Sequence, residues 1–245
     1  MIDISWEEIG SYRLPNKKKA WMCSHAQLPT SIALDNDIIR VFFATRSSQQ
    51  ISFVAYTDIL FYENGKKFEV IYTSETPVLK PGDIGTFDEH GVYPSSVVKY
   101  KDTYYMYYIG WIRGFESPQF YASIGLAISK DCKSFKKISN VPIISRNEHD
   151  PYLVTSPFVF VENGIWKIYY VSGVKWERSK NGSLQSFYNI RTASSRNHID
   201  WDIKGDIAID INANVTNVAR PSVIKFSDDV YRMWYSFVNK NIGHY

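Results

Sequence analysis

The feature that most constrains this sequence is a repeat of about 64 residues. It places one proline in each unit, at successive intervals of 65, 63 and 64 residues: Pro29, Pro94, Pro157 and Pro221. Each proline lies in a segment that contains a short apolar stretch, a polar turn and a second stretch rich in aromatic residues. These segments occupy residues 27–46, 92–111, 155–173 and 219–237. Self-similarity at a fixed period is typical of repeat architectures, so each segment predicts one copy of the same structural unit.

The repeat continues beyond these two stretches. A third stretch recurs at residues 53–58, 125–131 and 191–197. A fourth stretch is marked by an aromatic residue in three units: Phe68, Phe135 and Trp201. A unit of four short antiparallel strands is the blade of a β-propeller. The 16% of aromatic residues also favours strands, so we predict an all-β fold. The alternative is a β-sandwich with accidental periodicity.

The repeat predicts a single β-propeller domain over residues 1–245, with repeats near 21–85, 86–149, 150–213 and 214–245. Residues 1–20 resemble a fourth strand around Trp6, and we expect them to close the last blade. The last repeat stops where its third strand has just begun. Either a four-bladed ring closes on this stub, or the chain is a shortened form of a five-bladed protein. An open ring would expose an edge strand and favour self-association.

Several classes of protein are excluded or disfavoured. The sequence has no apolar run of the roughly 18 residues that a membrane span needs, and no signal peptide is seen, which indicates a cytoplasmic protein. Its two cysteines, Cys23 and Cys132, lie far apart and form no CxxC unit, so the sequence indicates neither a disulfide framework nor a cysteine-based zinc site. The net charge of +3 is dispersed apart from Lys17 to Lys19, which does not favour a nucleic-acid partner.

The residues around the repeated prolines begin the first strand of each unit, and such strands converge on the central funnel of a propeller. The loops after the second strands reach the same face. The substrate-binding candidates are therefore His25, Gln27, Arg46, His90, Tyr93, Ser95, Trp111, Ser156, Trp176 and Arg220. Aromatic faces stack on sugar rings and arginine binds oxygen atoms through paired hydrogen bonds, so this set favours a carbohydrate ligand.

Three acids on loops leading to the same face are the catalytic candidates: Asp88, Glu89 and Asp150. Cleavage of a glycosidic bond needs two carboxyl groups, one to protonate the leaving oxygen and one to attack or to activate water. The alternative interpretation is structural, since acids beside glycine and proline often stabilise turns. His149 beside Asp150, or His25 with His90, has no spacing that predicts a metal site, and we expect none.

Seven strings carry a resemblance to a known superfamily. They are SHAQ at 24–27, GTFDEHGVYPSSVV at 85–98, YMYYIGW at 105–111, IGLAISKD at 124–131, DPYLVTSPFV at 150–159, YYVSGVKW at 169–176 and ARPSVIK at 219–225. In these residues the chain resembles the five-bladed β-propeller glycoside hydrolases, the clan of arabinanases, xylosidases and fructosidases. More closely it resembles an uncharacterised bacterial branch of that superfamily.

The resemblance implies a fold with five blades, of which the last is absent here. It also implies a carbohydrate-active, glycosidase-like protein that cleaves or transfers a glycosidic bond in an oligosaccharide or polysaccharide, in bacterial surface-polysaccharide metabolism. The clan carries its three carboxylates on inner strands, where this sequence has residues such as Gln27, Ser156 and Arg220 instead. The alternatives are a non-catalytic glycan-binding propeller and a protein-interaction scaffold. No cofactor is expected, although some clan members hold Ca²⁺ on the axis.

Overall fold

The structure is a computed structural model that describes residues 7–11, 19–34, 37–228 and 230–242. Its regular elements in these ranges are all strands, which confirms the predicted all-β class. None of the described residues belongs to a helix of the length and apolar character that crossing a membrane requires.

The strands form three units of four and a final hairpin. The first unit contains β1 (Ser24–Ala33), β2 (Ile38–Arg46), β3 (Ser52–Tyr62) and β4 (Lys67–Thr73). The second contains β5 (Gly91–Tyr100), β6 (Thr103–Arg113), β7 (Phe120–Ser129) and β8 (Lys136–Lys137). The third contains β9 (Val154–Glu162), β10 (Ile165–Arg178), β11 (Leu184–Ser195) and β12 (Ile207–Ile209). The hairpin consists of β13 (Val215–Ser227) and β14 (Val230–Asn239).

Within each unit, consecutive strands pair antiparallel. One parallel pair, Ser52 with Gly91, joins the first and second units, and another, Tyr188 with Asn217, joins the third unit to the hairpin. The first strands also contact one another in order, β1 with β5, β5 with β9 and β9 with β13. This is the blade arrangement of a β-propeller, with each unit inside one predicted repeat.

The aromatic second strands form the core between units. Because side chains alternate along a strand, Tyr107 and Tyr108 of β6 point to opposite faces. Tyr108 packs with Phe42 and Tyr56 of the first unit, whereas Tyr107 packs with residues of the third unit. Both tyrosines are fully buried. The aromatic repeat therefore encodes the packing of one blade on the next.

The predicted fourth-strand aromatics also pack against this core. Phe135 is buried beside Phe42, with ring centroids 5.6 Å apart, and Trp201 meets Tyr107 edge-on at 6.0 Å. Phe68 of β4 differs: its ring pairs with Phe61 at 6.2 Å, and a Cβ placed on Gly10 of the amino-terminal segment would lie 2.9 Å from it. Residues 7–11 form no strand, while Trp6 and most of the expected closing strand, 1–20, fall outside the described residues. The closing strand therefore stays a prediction.

The first strand of each unit is irregular at its repeated proline. The pairing register shifts there in β1, β5, β9 and β13, as at a β-bulge. In three of these strands the residue before the proline has a positive φ: Leu28 at 55°, Ser156 at 48° and Arg220 at 57°. Such angles are uncommon for residues other than glycine and concentrate at functional sites. The proline repeat thus marks a bend where side chains are directed towards the centre.

Candidate ligand-binding site

A cleft of about 790 Å³ lies where the units converge. Leu28, Tyr93, Ser156 and Arg220 line it, so each first strand contributes a residue from its bend. The ends of β2 and β6 add Arg46, Trp111 and Arg113, and the loop 114–119 forms another wall. The four first strands therefore meet at one cleft through the residues at their bends. Among its described lining residues the cleft has three arginines and no aspartate or glutamate.

An ordered aromatic platform forms one side of this cleft. The rings of Tyr93 and Trp111 are stacked, with centroids 6.1 Å apart and an interplanar angle of 8°. The Trp111 indole N–H donates a hydrogen bond of 2.9 Å to Ser52 Oγ. Arg46 Nη2 donates one of 2.7 Å to the Tyr93 hydroxyl, and its guanidinium lies 5.8 Å from the Trp111 ring. These contacts fix the platform before a ligand arrives, which reduces the entropy lost on binding.

Arg220 lies between two cavities. It lines the cleft and also a smaller axial cavity of about 310 Å³ between the first strands. Its Nη2 donates a hydrogen bond of 3.1 Å to the Pro29 carbonyl across the centre, while its Nη1 is shielded from solvent and has no hydrogen-bond partner among the described residues. Burial lowers the pKa of this guanidinium. The structure therefore places a poorly solvated cation at the floor of the cleft.

Asp88 does not line the cleft, contrary to the expected catalytic position. The residue is 1% exposed, and its carboxyl group accepts hydrogen bonds from the Tyr108 hydroxyl at 3.1 Å and from Lys137 Nζ at 2.6 Å. Burial, followed by the nearby Asp88 charge, raises the pKa of Tyr108, so this phenol stays a proton donor. These contacts tie the loop before β5 to β6 and β8.

Asp150 occupies the same place in the next unit and is also away from the cleft. It is fully buried, and its Oδ2 accepts hydrogen bonds from the Tyr170 hydroxyl at 3.0 Å and from Asn147 at 2.9 Å. Arg191 Nη1 lies 3.4 Å from its Oδ1. The two Asp–Tyr pairs are 62 residues apart in both members. The repeat therefore explains these acids as structural links between a loop and a second strand.

Glu89, the third acid, lies beside the platform. Its side chain accepts a hydrogen bond from the Gly85 backbone N–H, and its Oε1 is 3.3 Å from His90 Nδ1. The His90 ring is 5.9 Å from the Trp111 ring, and Arg113 donates its backbone N–H to His90 Nδ1 at 3.4 Å. Glu89 and His90 thus form a partly exposed pair behind the aromatic platform.

The remaining predicted residues are distributed around the cleft. His25 is exposed and its Nδ1 is 2.8 Å from Ser24 Oγ; neither His25 nor Gln27 lines the cleft. Ser95 lines the axial cavity and donates a hydrogen bond of 2.8 Å to the Pro157 carbonyl. Trp176 lies in a neighbouring groove, where it meets Phe120 edge-on at 6.1 Å. Equivalent loop positions therefore place Trp111 in the cleft and Trp176 outside it.

Sequence reasoning missed several residues of the cleft wall, among them Gln119, Phe120 and Tyr188. Gln119 ends the loop after β6, Phe120 is the first residue of β7, and Tyr188 lies on the third strand β11. The repeated prolines and the loop starts carry no signal for these positions. Across the described ranges, no group of three or more His, Cys, Asp or Glu side chains is placed to hold a metal ion. The axial Ca²⁺ stays an expectation from the resemblance.

The sequence has relatives among curated proteins. The uncharacterised protein Rv1502 of Mycobacterium tuberculosis strain ATCC 25618 / H37Rv is 30% identical over 233 residues, which covers 95% of this chain and 75% of the relative. The uncharacterised protein MT1551 of strain CDC 1551 / Oshkosh matches to the same extent. No protein-family model matches the sequence.

Solved structures share the fold at low sequence identity. A structure of BT0996, described as an RGII complex, superposes with a TM-score of 0.69 at 18% identity, covering 94% of this protein and 69% of BT0996. The α-L-arabinanase of Cellvibrio cellulosa complexed with arabinohexaose gives 0.60 at 9% identity, covering 88% and 70%. The chain therefore has the β-propeller fold of glycoside hydrolases.

Proposed function

Because the chain belongs to the same family as the uncharacterised mycobacterial proteins Rv1502 and MT1551, and shares the glycoside hydrolase propeller fold, we propose that it is a carbohydrate-active protein. Its cleft binds a glycan against the platform of Trp111 and Tyr93. Two structural neighbours are described as complexes, one with RGII and one with arabinohexaose, which supports a glycan as the ligand class. Bacterial surface polysaccharides are the first glycans to test.

The platform is the observation that carries this proposal. It presents stacked rings held by Ser52 and Arg46 in a cleft large enough for a small oligosaccharide. The C–H faces of a pyranose stack on such rings, and the arginines that line the cleft donate to its hydroxyl oxygens. A polar rim around an aromatic base is what recognition of a sugar requires.

Binding without hydrolysis is the function that this cleft supports best. Glycoside hydrolysis uses two carboxyl groups on either side of the scissile bond, roughly 5 to 9.5 Å apart. The described lining residues include no carboxylate, and Asp88 and Asp150 are engaged in buried contacts elsewhere. The cleft residues therefore suit a propeller that retains the sugar-binding surface of its fold without its hydrolytic pair.

The test is a glycan-array screen followed by calorimetric titration of the strongest ligand. Trp111→Ala should weaken binding about fivefold to tenfold, because one stacking face contributes about 1 to 1.4 kcal/mol. Trp176→Ala is the matched control, since this tryptophan lies outside the cleft. A screen without glycan ligands, or equal losses in both variants, would contradict the proposal. Circular dichroism melting establishes that both variants are folded.

One observation favours a second candidate function, cleavage of the bound glycan. Glu89 is partly exposed and lies beside His90, which contacts the platform ring of Trp111. Of the three candidate acids, Glu89 is therefore the one linked to the platform, through His90, and a second carboxyl group would have to come from outside the described lining. If the array ligands are hydrolysed, Glu89→Gln should reduce kcat by about 10² or more while Asp83→Asn, an exposed acid in the same loop, leaves it unchanged. Equal turnover by Glu89→Gln and the unaltered protein would exclude Glu89.

A further inference from the structure

Among the described residues that line it, the cleft has positive charge and no negative charge. Arg46, Arg113 and Arg220 all line it. Elsewhere in the described structure, buried arginines have acidic partners, as in Arg40 with Asp58 at 2.7 Å. In the cleft the hydrogen-bond acceptors are neutral: Tyr93 and Gln50 for Arg46, the Gln49 carbonyl for Arg113 and the Pro29 carbonyl for Arg220.

Arg220 makes this imbalance energetically significant. A charge taken out of water is unfavourable unless an opposite charge or a full set of hydrogen bonds compensates it. Within the described ranges the Arg220 guanidinium donates a hydrogen bond to the Pro29 carbonyl, and its Nη1 is shielded without a partner. It also lies on a bend with a positive φ of 57°, a conformation that few non-glycine residues adopt. The protein thus holds a strained, poorly solvated cation at the floor of its cleft.

The geometry points to an acidic saccharide as the ligand: a sugar bearing a carboxylate or phosphate group, bound with its ring on Trp111 and Tyr93 and its oxyanion towards Arg220, Arg46 and Arg113. This inference rests on the proposed function and specifies the class of glycan. Planar guanidinium groups match both oxyanions through paired N–H donors. Glu89 does not line the cleft; its carboxylate contacts the Gly85 N–H and His90, and among the described residues it forms no ion pair with Arg46, Arg113 or Arg220.

The position of Arg46 links the sugar platform to this charge. Its guanidinium is hydrogen-bonded to the Tyr93 hydroxyl and lies 5.8 Å from the Trp111 ring. A substituent projecting from a stacked sugar would therefore meet a cation at the edge of the platform. Neutral sugars would use the same stacking surface but would leave the charge of Arg220 uncompensated.

The experiment compares matched ligand pairs by calorimetric titration. One pair is a uronate oligosaccharide and its methyl ester, and the other is a phosphorylated oligosaccharide and its dephosphorylated form. Each pair differs in charge while the sugar stays the same. We expect at least one charged member to bind about tenfold or more tightly than its neutral partner, and the preference to shrink as salt is raised from about 50 to about 300 mM. The two pairs distinguish a carboxylate ligand from a phosphate ligand.

Variants test whether the preference for the charged ligand arises from the arginines of the cleft. Arg220→Gln should abolish the preference for the charged member, and Arg113→Gln should reduce it about threefold or more. Arg232→Gln is the control with the same loss of charge, because Arg232 lies over Phe226 at the β13–β14 hairpin and outside the cleft. Should Arg220→Gln fail to fold, Arg113→Gln still tests the inference, since Arg113 is exposed and its side chain bonds to the Gln49 carbonyl on the surface.

The outcomes separate this inference from the proposed function. Equal affinity for charged and neutral members, or an unchanged preference in the Arg113 and Arg220 variants, overturns the acidic ligand and leaves glycan binding in place. The absence of binding by every glycan overturns both. A charge preference that Arg232→Gln reduces as much as Arg113→Gln also overturns the inference, because general surface charge would then explain it.

Discussion

Replacing Asp88 by asparagine separates a structural role from a catalytic one. The Asp88 carboxyl group is buried and holds three donors, the Tyr108 hydroxyl, Lys137 Nζ at 2.6 Å and the Thr86 hydroxyl at 3.1 Å. The amide of Asp88→Asn keeps the shape and an acceptor oxygen but removes the charge that pairs with Lys137. The expected result is a less stable protein with an intact cleft.

The size of the effect follows from the burial of the pair. Breaking a fully buried ion pair costs about 3–5 kcal/mol. Lys137 keeps 18% of its side chain exposed, so it recovers part of its hydration, and asparagine retains one hydrogen bond. We therefore expect the free energy of unfolding to fall by about 2–3 kcal/mol. This corresponds to a decrease in Tm of roughly 4–12 °C for a domain of this size.

Urea denaturation measures this change, with the m value showing whether both proteins unfold by the same transition. Asp83→Asn is the control, because Asp83 is exposed in the same loop; its change should stay within about 0.5 kcal/mol. Glycan affinity of Asp88→Asn at a temperature well below its Tm should equal that of the unaltered protein within twofold. An Asp88→Asn protein that is fully stable but has lost ligand binding or turnover would refute the structural assignment.

Two further predictions concern other parts of the fold. Asp131 accepts hydrogen bonds from the backbone N–H groups of Ser134 and Lys133, and these, the Ser134 bond first, lower its pKa to about 2. The ionised Asp131 carboxylate therefore stabilises the fold above the unfolded pKa of about 3.9, and this stabilisation is lost as the pH falls towards 2. Asp131→Asn should lower the free energy of unfolding by about 1 kcal/mol at pH 7, a figure discounted for solvent screening. In urea titrations the difference in free energy between the two proteins should vanish near pH 2. β14 is an edge strand of its sheet among the described residues, with Tyr235 42% and Phe237 48% exposed. We expect concentration-dependent self-association through this edge, reduced by Phe237→Lys; sedimentation that shows a monomer at every concentration would contradict it.

Much of the fold could be predicted because each repeat is recognisable from residues that are close together in the sequence. Prolines at 63 to 65 residue intervals and aromatic second stretches identified the strands, and the burial of Tyr107 and Tyr108 follows from their alternation on β6. Of the residues expected to converge before the prolines, some line one cleft, whereas His25 and Gln27 do not. Leu28, Tyr93, Ser156 and Arg220 line it because every first strand bends at the same place.

The roles of the three acids could not be predicted from the sequence, because the position of a residue in a loop does not fix the direction of its side chain. Asp88 and Asp150 lie on loops that lead to the cleft, yet each turns inward to a tyrosine of the adjoining second strand. In the sequence, that tyrosine is 20 residues away from its acid and lies within an aromatic run of several candidates. Their pairing exists only when the loop packs on the strand.

The sequence by itself determined the β-propeller fold, its strands and the residues at the bends, since these depend on periodicity within each unit. Only the tertiary structure decided that Trp111 faces the cleft while Trp176 faces a neighbouring groove. It also decided that three arginines share a cleft lined by no described carboxylate. The physical reason is that charge balance and side-chain direction depend on contacts between units that are distant in the chain.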